Sequence, residues 1–302
     1  MRIATVNVNG IRAAARKGMG AWLETSSPDV LLLQEVRADE ETAAALLPGY
    51  SSLIWPCRIK GRAGVGVAVR DGGPVVLGAS RYGVAVEEEP DVDSGRWLEV
   101  DLLPAGSRAQ GRAATGEAAE ETEPAEAREA TPSSQPAPML TVVSAYLHSG
   151  QVGTEKMDQK YAHLALVDAR MSRLLAAAQA GGPQVVMAGD LNVVRSERDI
   201  KNWKPNHNKV AGVLDEEIAH LEGWFSSGWV DVARHLAPEA QGPYTWWSQR
   251  GKAFDNDAGW RIDYQVATPD LAAGAVSAVV DRAASYAERW SDHAPLVVEY
   301  QV

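Results

Sequence analysis

The 302-residue sequence carries a single cysteine, Cys57. An internal disulfide is therefore excluded, and so is a thiolate metal cluster. Cysteine usage this sparse fits a reduced, cytoplasmic compartment. No apolar run approaches the ~20 residues that span a bilayer, so no membrane association is expected. The opening MRIATVNVNG has one arginine but no apolar stretch after it, so a secretory leader is not expected. No internal repeat is visible. Basic charge is also short. Lys and Arg number 29 against 40 Asp and Glu, a net charge of −11. Nucleic-acid binders are usually basic. Any nucleic-acid surface here must therefore be a local basic patch, and part of the acidic excess can serve as metal ligands. The 45% hydrophobic and 23% charged content is that of a globular protein and excludes a collagen, a wholly disordered chain and a coiled coil.

What is present is a succession of strand-like runs. Residues 2–9 form the first, ended by Gly10. A helix over about 19–24 and Pro28-Asp29 lead to VLLLQE, a continuous apolar run that reads as a strand buried on both faces. Further strands are expected at 65–70, 97–103, 140–147, 184–189, 261–267, 275–280 and 294–300. Residues 156–180 have helical spacing and end at Gly-Gly-Pro. Many strands with few helices between them imply an α/β fold of two packed sheets with helices on the outer faces. Residues 104–138 differ. They hold six Glu and three Arg, and no aromatic or branched aliphatic residue. Such a segment buries too little to offset its ordering entropy. It is expected to be a long disordered acidic insertion in a loop between two strands, which loop-closure entropy tolerates.

Four short segments place hard oxygen ligands at strand ends: Asn7-Val-Asn9-Gly, Gln34-Glu35, Asp190-Leu-Asn192 and Asp292-His293. Taken singly, the Asn7, Asp190 and Asp292 segments are most often an ordinary turn, cap or surface pair, whereas Glu35 is harder to dismiss. Together, all at strand ends, they can converge on one cleft. Carboxylate and amide oxygens suit a hard cation such as Mg²⁺ that keeps part of its water. Asp190 and Asn192 are two apart on an extended segment and share a face. Asp190 can take a proton from water while Asn192 holds that water or a phosphate. Asp292 is a metal-ligand candidate beside an imidazole, and Asp263 in RIDY is placed to orient His293. Glu35 closes a buried strand and needs a partner there.

These residues lie in segments that resemble the exonuclease III family of apurinic/apyrimidinic endonucleases, within the endonuclease/exonuclease/phosphatase superfamily. The matching segments are NVNGIRA, PDVLLLQEVRA, GVGVAVR, SAYLHSG, GDLNVV, YTWWSQR, GWRIDY and SDHAPL, in family order over nearly the whole chain. The resemblance implies a four-layer α/β/β/α sandwich of two mixed sheets, in one nuclease domain over 1–302. It implies Mg²⁺, with Mn²⁺ as an alternative, and in-line hydrolysis of DNA phosphodiesters. By position it assigns Asn7, Glu35, Asp190, Asn192, Asp292 and His293 to the metal site. It assigns Tyr146, Asp190, Asn192, Asp263 and His293 to catalysis. Trp246, Trp260 and Ile262 match a pocket for an extruded abasic sugar. An aromatic slot of that kind accepts a baseless deoxyribose and penalises a base that must be unstacked. Trp247 is expected in the core.

Asn9, Arg12, Lys201, Lys204 and Arg250 are the further candidates for substrate contact, since such residues fix register on phosphates. The expected partner is duplex DNA with abasic sites or 3′ ends, bound by a monomer. Three departures from the family pattern stand out. Val36-Arg37 replaces the usual Thr-Lys after the glutamate, His148-Ser149 replaces Pro and an amide residue after the tyrosine, and the 104–138 insertion is extra. Two other readings remain open. One is a phosphoesterase of the same fold acting on a non-DNA phosphate ester. The other is a DNA-binding protein without catalysis, against which the intact acidic set argues.

Overall fold

The computed structural model describes residues 1–85, 90–107 and 138–301. In chain order the strands are β1 (Arg2–Asn7), β2 (Val30–Gln34), β3 (Tyr50–Trp55), β4 (Val65–Arg70), β5 (Val75–Tyr82), β6 (Trp97–Pro104), β7 (Leu140–Tyr146), β8 (Gln184–Asp190), β9 (Val230–Asp231), β10 (Asp263–Ala267), β11 (Ala275–Val280) and β12 (Leu296–Tyr300). The helices are α1 (Ile11–Arg16), α2 (Met19–Ser26), α3 (Glu40–Ala45), α4 (Glu155–Gln179), α5 (Trp203–Asn206), α6 (Asp215–Ser227), α7 (Val232–Leu236) and α8 (Pro269–Ala273).

The strands build two six-stranded mixed sheets, ordered β11-β12-β1-β2-β4-β3 and β5-β6-β7-β8-β10-β9. Side-chain alternation explains their stacking. Ile3, Val30 and Leu32 of the first sheet meet Val100, Val142 and Val186 of the second in one shared core. The intervening Ala4, Leu31 and Leu33 pack outward against Met19 and Leu23 of α2. On the other side Val143, Val185 and Met187 pack against Leu164, Val167 and Met171 of α4. Each central strand is thus buried on both faces, which is why VLLLQ and QVVMAG are continuously apolar. The result is the expected four-layer sandwich.

Several expected boundaries move. β1 ends at Asn7 because Asn9 and Gly10 adopt left-handed backbone, with φ of 46° and 95°. β10 begins at Asp263, two residues late, because Arg261 and Ile262 run outside the ladder to the adjoining loops. β12 begins at Leu296, after Pro295, which has no N–H to donate. The edge strands β3, β5 and β9 were not legible as strands, and neither were helices α3, α6 and α7. β5 carries a register shift around Gly78, where a Cβ would stand 2.8 Å from the Asp101 carbonyl. The disordered insertion expected over 104–138 falls mostly outside the described residues. Its flanks β6 and β7 pair antiparallel up to Leu102 and Leu140, so it does link adjacent strands. Among the described residues no helix is long and apolar enough to cross a membrane.

Candidate active site

The parallel pairs β1/β2 and β7/β8 put four chain ends at one edge of the sandwich. Asn7 and Glu35 project from the first sheet, Tyr146 and Asp190 from the second. β10 runs antiparallel to β8, so its first residue, Asp263, sits opposite Asp190. The turn before β12 delivers Asp292 and His293. This turn is fastened to β1 by Ser291, whose hydroxyl donates to the Asn7 carbonyl at 2.7 Å. The two sheets meet directly here. The Asn7 amide donates to Glu35 Oε1 at 3.0 Å and to Asp190 Oδ2 at 2.9 Å.

Backbone conformation aims the groups. Glu35 has φ 49° and Asn192 has φ 51°. A left-handed glutamate is uncommon and costs on the order of 1–3 kcal/mol. The Glu35 carbonyl accepts from Gly10 N at 2.8 Å, and the next amide, Val36 N, donates to the Gly64 carbonyl at 3.0 Å. These bonds hold the turn that lifts the carboxylate off the strand end. Asn192 N donates to Asp190 Oδ1 at 3.0 Å, and one hydrogen of its side-chain amide goes to the Leu147 carbonyl at 3.0 Å. Asn9 also serves a neighbour, donating from Nδ2 to Asp292 Oδ1 at 2.8 Å. The Tyr146 hydroxyl donates to Glu35 Oε1 at 2.7 Å.

The electrostatics are lopsided. Burial pushes the Asp190 carboxyl up to about 7, with Asp263 and Glu35 adding to it and His293 and Asn7 opposing. Burial works against a charged His293, but Asp263, Asp190 and Asp292 outweigh it and raise the ring to about 10. The ring is therefore an imidazolium at neutral pH. Its Nδ1 meets Asp263 Oδ2 at 2.8 Å and its Nε2 lies 3.8 Å from Asp190 Oδ2. Burial also opposes ionisation of Asp292, yet His293, Asn9 and the indole of Trp246 hold it below the usual carboxylate range. Tyr146 is driven far upward by burial and then by Glu35 and Asp190, so it remains a neutral donor. Four carboxylates thus face two cations, His293 and Arg37, the latter paired with Glu35. Asp263 Oδ1 is buried with no hydrogen-bond partner among the described residues.

This deficit and the donor chemistry fit a hard divalent cation. Glu35 and Asp190 offer oxygens only, held together through the Asn7 amide, and Mg²⁺ is held by one or two carboxylates plus water. Among the described residues no three His, Cys, Asp or Glu side chains close around one point, so a zinc-type cage does not fit.

Beside the carboxylates lies an aromatic wall. Trp246 and Trp260 meet edge to face at 5.6 Å, and both pack on a cluster containing Ile262. The Trp246 indole donates to Asp292 Oδ2 at 3.2 Å, which joins this wall to the acidic group. Trp247 is buried against Phe254 and Tyr244, the core position expected of it. Lys201 and Arg250, in loops, and Lys204, in the short helix α5, are solvent-exposed. Arg12 is not in the cluster. It lies in a groove between α1 and α3, 3.3 Å from Thr42 Oγ1 and 3.9 Å from Asp39.

Sequence reasoning missed a buried ion pair behind the site, Lys160 with Glu217, 2.5 Å apart and fully enclosed. One signal was available: Lys160 interrupts the apolar stripe Met157, Leu164, Val167, Met171 of α4.

A profile of the Endonuclease/Exonuclease/phosphatase family matches residues 4–293. The exodeoxyribonuclease of Bacillus subtilis (strain 168) is 28% identical over 298 residues, 98% of each chain. The DNA-(apurinic or apyrimidinic site) endonuclease of Dictyostelium discoideum is 26% identical over 274 residues, 90% of this chain and 63% of that one. Among solved structures, a 3′ phosphatase from Neisseria bound to a product DNA hairpin has the same fold, with a TM-score of 0.77, 22% identity and complete coverage of both chains.

Proposed function

Because the chain belongs to the endonuclease/exonuclease/phosphatase family and is a hydrolase of its nuclease type, we propose that it is a Mg²⁺-dependent DNA repair nuclease. Its activities are incision 5′ to abasic sites and removal of nucleotides from 3′ ends of duplex DNA. It acts as a monomer in the cytoplasm, through one nuclease domain. One observation carries the reading: the under-neutralised acidic cluster adjoins the Trp246–Trp260–Ile262 wall, the two joined by the hydrogen bond from the Trp246 indole to Asp292.

Nucleases of this family are generally divalent-metal dependent. Glu35 and Asp190 are the residues that would hold the ion, with Asn7, Asn192 and Asp292 beside them; His293, matched to the metal site by position, carries a proton on each ring nitrogen and is not one of its ligands. When bound, it would neutralise charge on the phosphate and the leaving 3′ oxygen. The chain supplies the rest. Asp190 takes a proton from the attacking water at Oδ2, a role supported by its place beside Asn192 and by the burial that raises its affinity for a proton. His293, held by Asp263 at Nδ1, presents its charged Nε2–H to a non-bridging oxygen. Tyr146 and Asn192 hold the phosphate. Trp246, Trp260 and Ile262 receive the baseless sugar, while Lys201, Lys204, Arg250, Arg12 and Asn9 set the register of the duplex.

The test is a duplex with one internal abasic-site analogue, labelled at its 5′ end, incubated with Mg²⁺ or with chelator. A single Mg²⁺-dependent cut 5′ to the lesion is expected. A ladder without that cut would leave the exonuclease and remove the abasic-site pocket. No cleavage in Mg²⁺ or Mn²⁺ would shift the substrate to a non-DNA phosphate ester.

A further inference from the structure

Lys160 lies inside the protein, with its ammonium enclosed between three loops. It donates to the Asn192 carbonyl at 2.9 Å and to the Ser149 carbonyl at 3.4 Å, and its charge is met by Glu217 at 2.5 Å. The Glu217 carboxylate in turn accepts from Gly212 N at 2.6 Å and Leu214 N at 3.1 Å. Two glycines let these loops approach. A Cβ on Gly150 would stand 3.0 Å from Lys160 Cδ. A Cβ on Gly212 would stand 2.8 Å from the Asn192 carbonyl oxygen and 3.2 Å from the Trp260 ring.

A buried ion pair of this kind is poor stabilisation. Its desolvation offsets much of its attraction, and apolar pairs of similar volume often do as well or better. An apolar pair, however, cannot satisfy two inward-facing carbonyls at irregular turns. The carbonyls in question belong to chosen places. Asn192 is the left-handed residue whose N–H fixes Asp190 Oδ1, and Ser149 lies three residues beyond Tyr146. Gly212 carries the contact onward to the pocket wall at Trp260.

We propose that the Lys160–Glu217 pair is a positioning device: it locks the Asn192 turn against the 147–150 and 210–214 loops, and so sets the aim of Asp190 and Asn192 on the phosphate. Neither residue touches substrate. The inference rests on the nuclease reading for its kinetic consequence, but its structural consequence stands apart from that reading.

The experiment compares wild type, Lys160→Met, and the double variant Lys160→Met/Glu217→Gln, in metal-loaded protein on the abasic duplex. Lys160→Met alone leaves Glu217 charged and enclosed, so a large drop in melting temperature is expected. The double variant removes that charge, while the amide oxygen of the introduced glutamine still accepts from the Gly212 and Leu214 amides, so most of the melting temperature should return. Its kcat should stay about 10–100-fold below wild type with KM nearly unchanged, since misplacement near 1 Å can cost about 100-fold. Amide hydrogen exchange at residues 190–194 should be faster than in wild type. Recovery of kcat together with melting temperature would overturn the proposal and leave a stabilising pair only. If wild type cuts no DNA, the nuclease reading fails, and the exchange rates alone decide. Unchanged protection at 190–194 in the double variant would then overturn the positioning role.

Discussion

The protein contains two buried acidic clusters of opposite character. In one, Asp199 and Asp231 are met by Arg261 and Arg234. Arg261 Nε lies 2.6 Å from Asp199 Oδ1, its Nη1 and Nη2 grip Asp231 at 3.0 and 2.8 Å, and Arg234 Nη2 reaches Asp199 Oδ1 at 2.6 Å. Asp199 Oδ2 is filled by the Ser196 hydroxyl at 3.0 Å. Burial opposes the charge on Asp199, but the two arginines win and hold it below its usual range. In the other cluster, burial wins at Asp190, Asp263 keeps an unfilled oxygen, and the carboxylates outnumber the cations. The first cluster is complete by itself. The second is left with an unpartnered oxygen and an excess of negative charge, which is what marks it as a candidate site and the first as a strut.

The contrast can be broken most forcefully at Asp190. Asp190→Asn should lower single-turnover incision by about a thousandfold, within the 10²–10⁴ range of acid–base catalysis. Its DNA affinity, read by fluorescence anisotropy, should stay close to wild type. Retention of more than a few per cent of turnover would remove Asp190 as the base. Arg261→Met attacks the complete cluster instead. It strands Asp199 and Asp231 and should cost about 3–5 kcal/mol in urea unfolding. An unchanged midpoint would show that the cluster contributes little.

The incompleteness of the Glu35–Asp190–Asp263 cluster can be measured directly by titrating Mg²⁺ against melting temperature. Saturation at about 100 times the dissociation constant should stabilise wild type by about 2.7 kcal/mol. Glu35→Gln should respond far less, while a variant in the Arg261 cluster should keep the response. A full response in Glu35→Gln would place the ion elsewhere.

His163 offers a third kind of buried group. Its ring nitrogens have no hydrogen-bond partner among the described residues, and burial pulls its pKa down to about 3. The unfolded value is about 6.5. Between these values the unfolded chain binds the proton and the folded chain does not. The stability from neutral His163 is therefore full above about pH 6.5 and declines as pH falls towards 3. His163→Leu should flatten that part of the decline, read as urea midpoints at pH 7 and pH 4.5. The smallest effect is expected from deleting residues 106–136. Because β6 and β7 pair up to the insertion, melting temperature and incision should change little. A large fall in either would show that the segment packs.

Much of the candidate site was legible because its residues end buried strands. A run such as VLLLQ must pack on both faces, so the polar residue after it leaves at a sheet edge. The same logic placed Asn7, Asp190 and the Asp292-His293 turn. The complete cluster was not legible. Asp199 sits in a 3₁₀ turn, Asp231 at the end of a two-residue strand, and Arg261 just ahead of β10, with nothing local to pair them. Lys160 and Glu217 are 57 positions apart on two helices, and only the odd charge in an apolar stripe hinted at one of them.

The sequence by itself determined the two-sheet sandwich and the polar side chains at its strand ends, because burial periodicity and chain reversal are local consequences of residue type. Tertiary structure decided which charges are neutralised. It brought Arg261 to Asp199 and Asp231, and left Asp190 and Asp263 with one shared imidazolium. It also set the proton affinities that follow, because these depend on distances between residues remote in the chain and on how completely water is excluded from them.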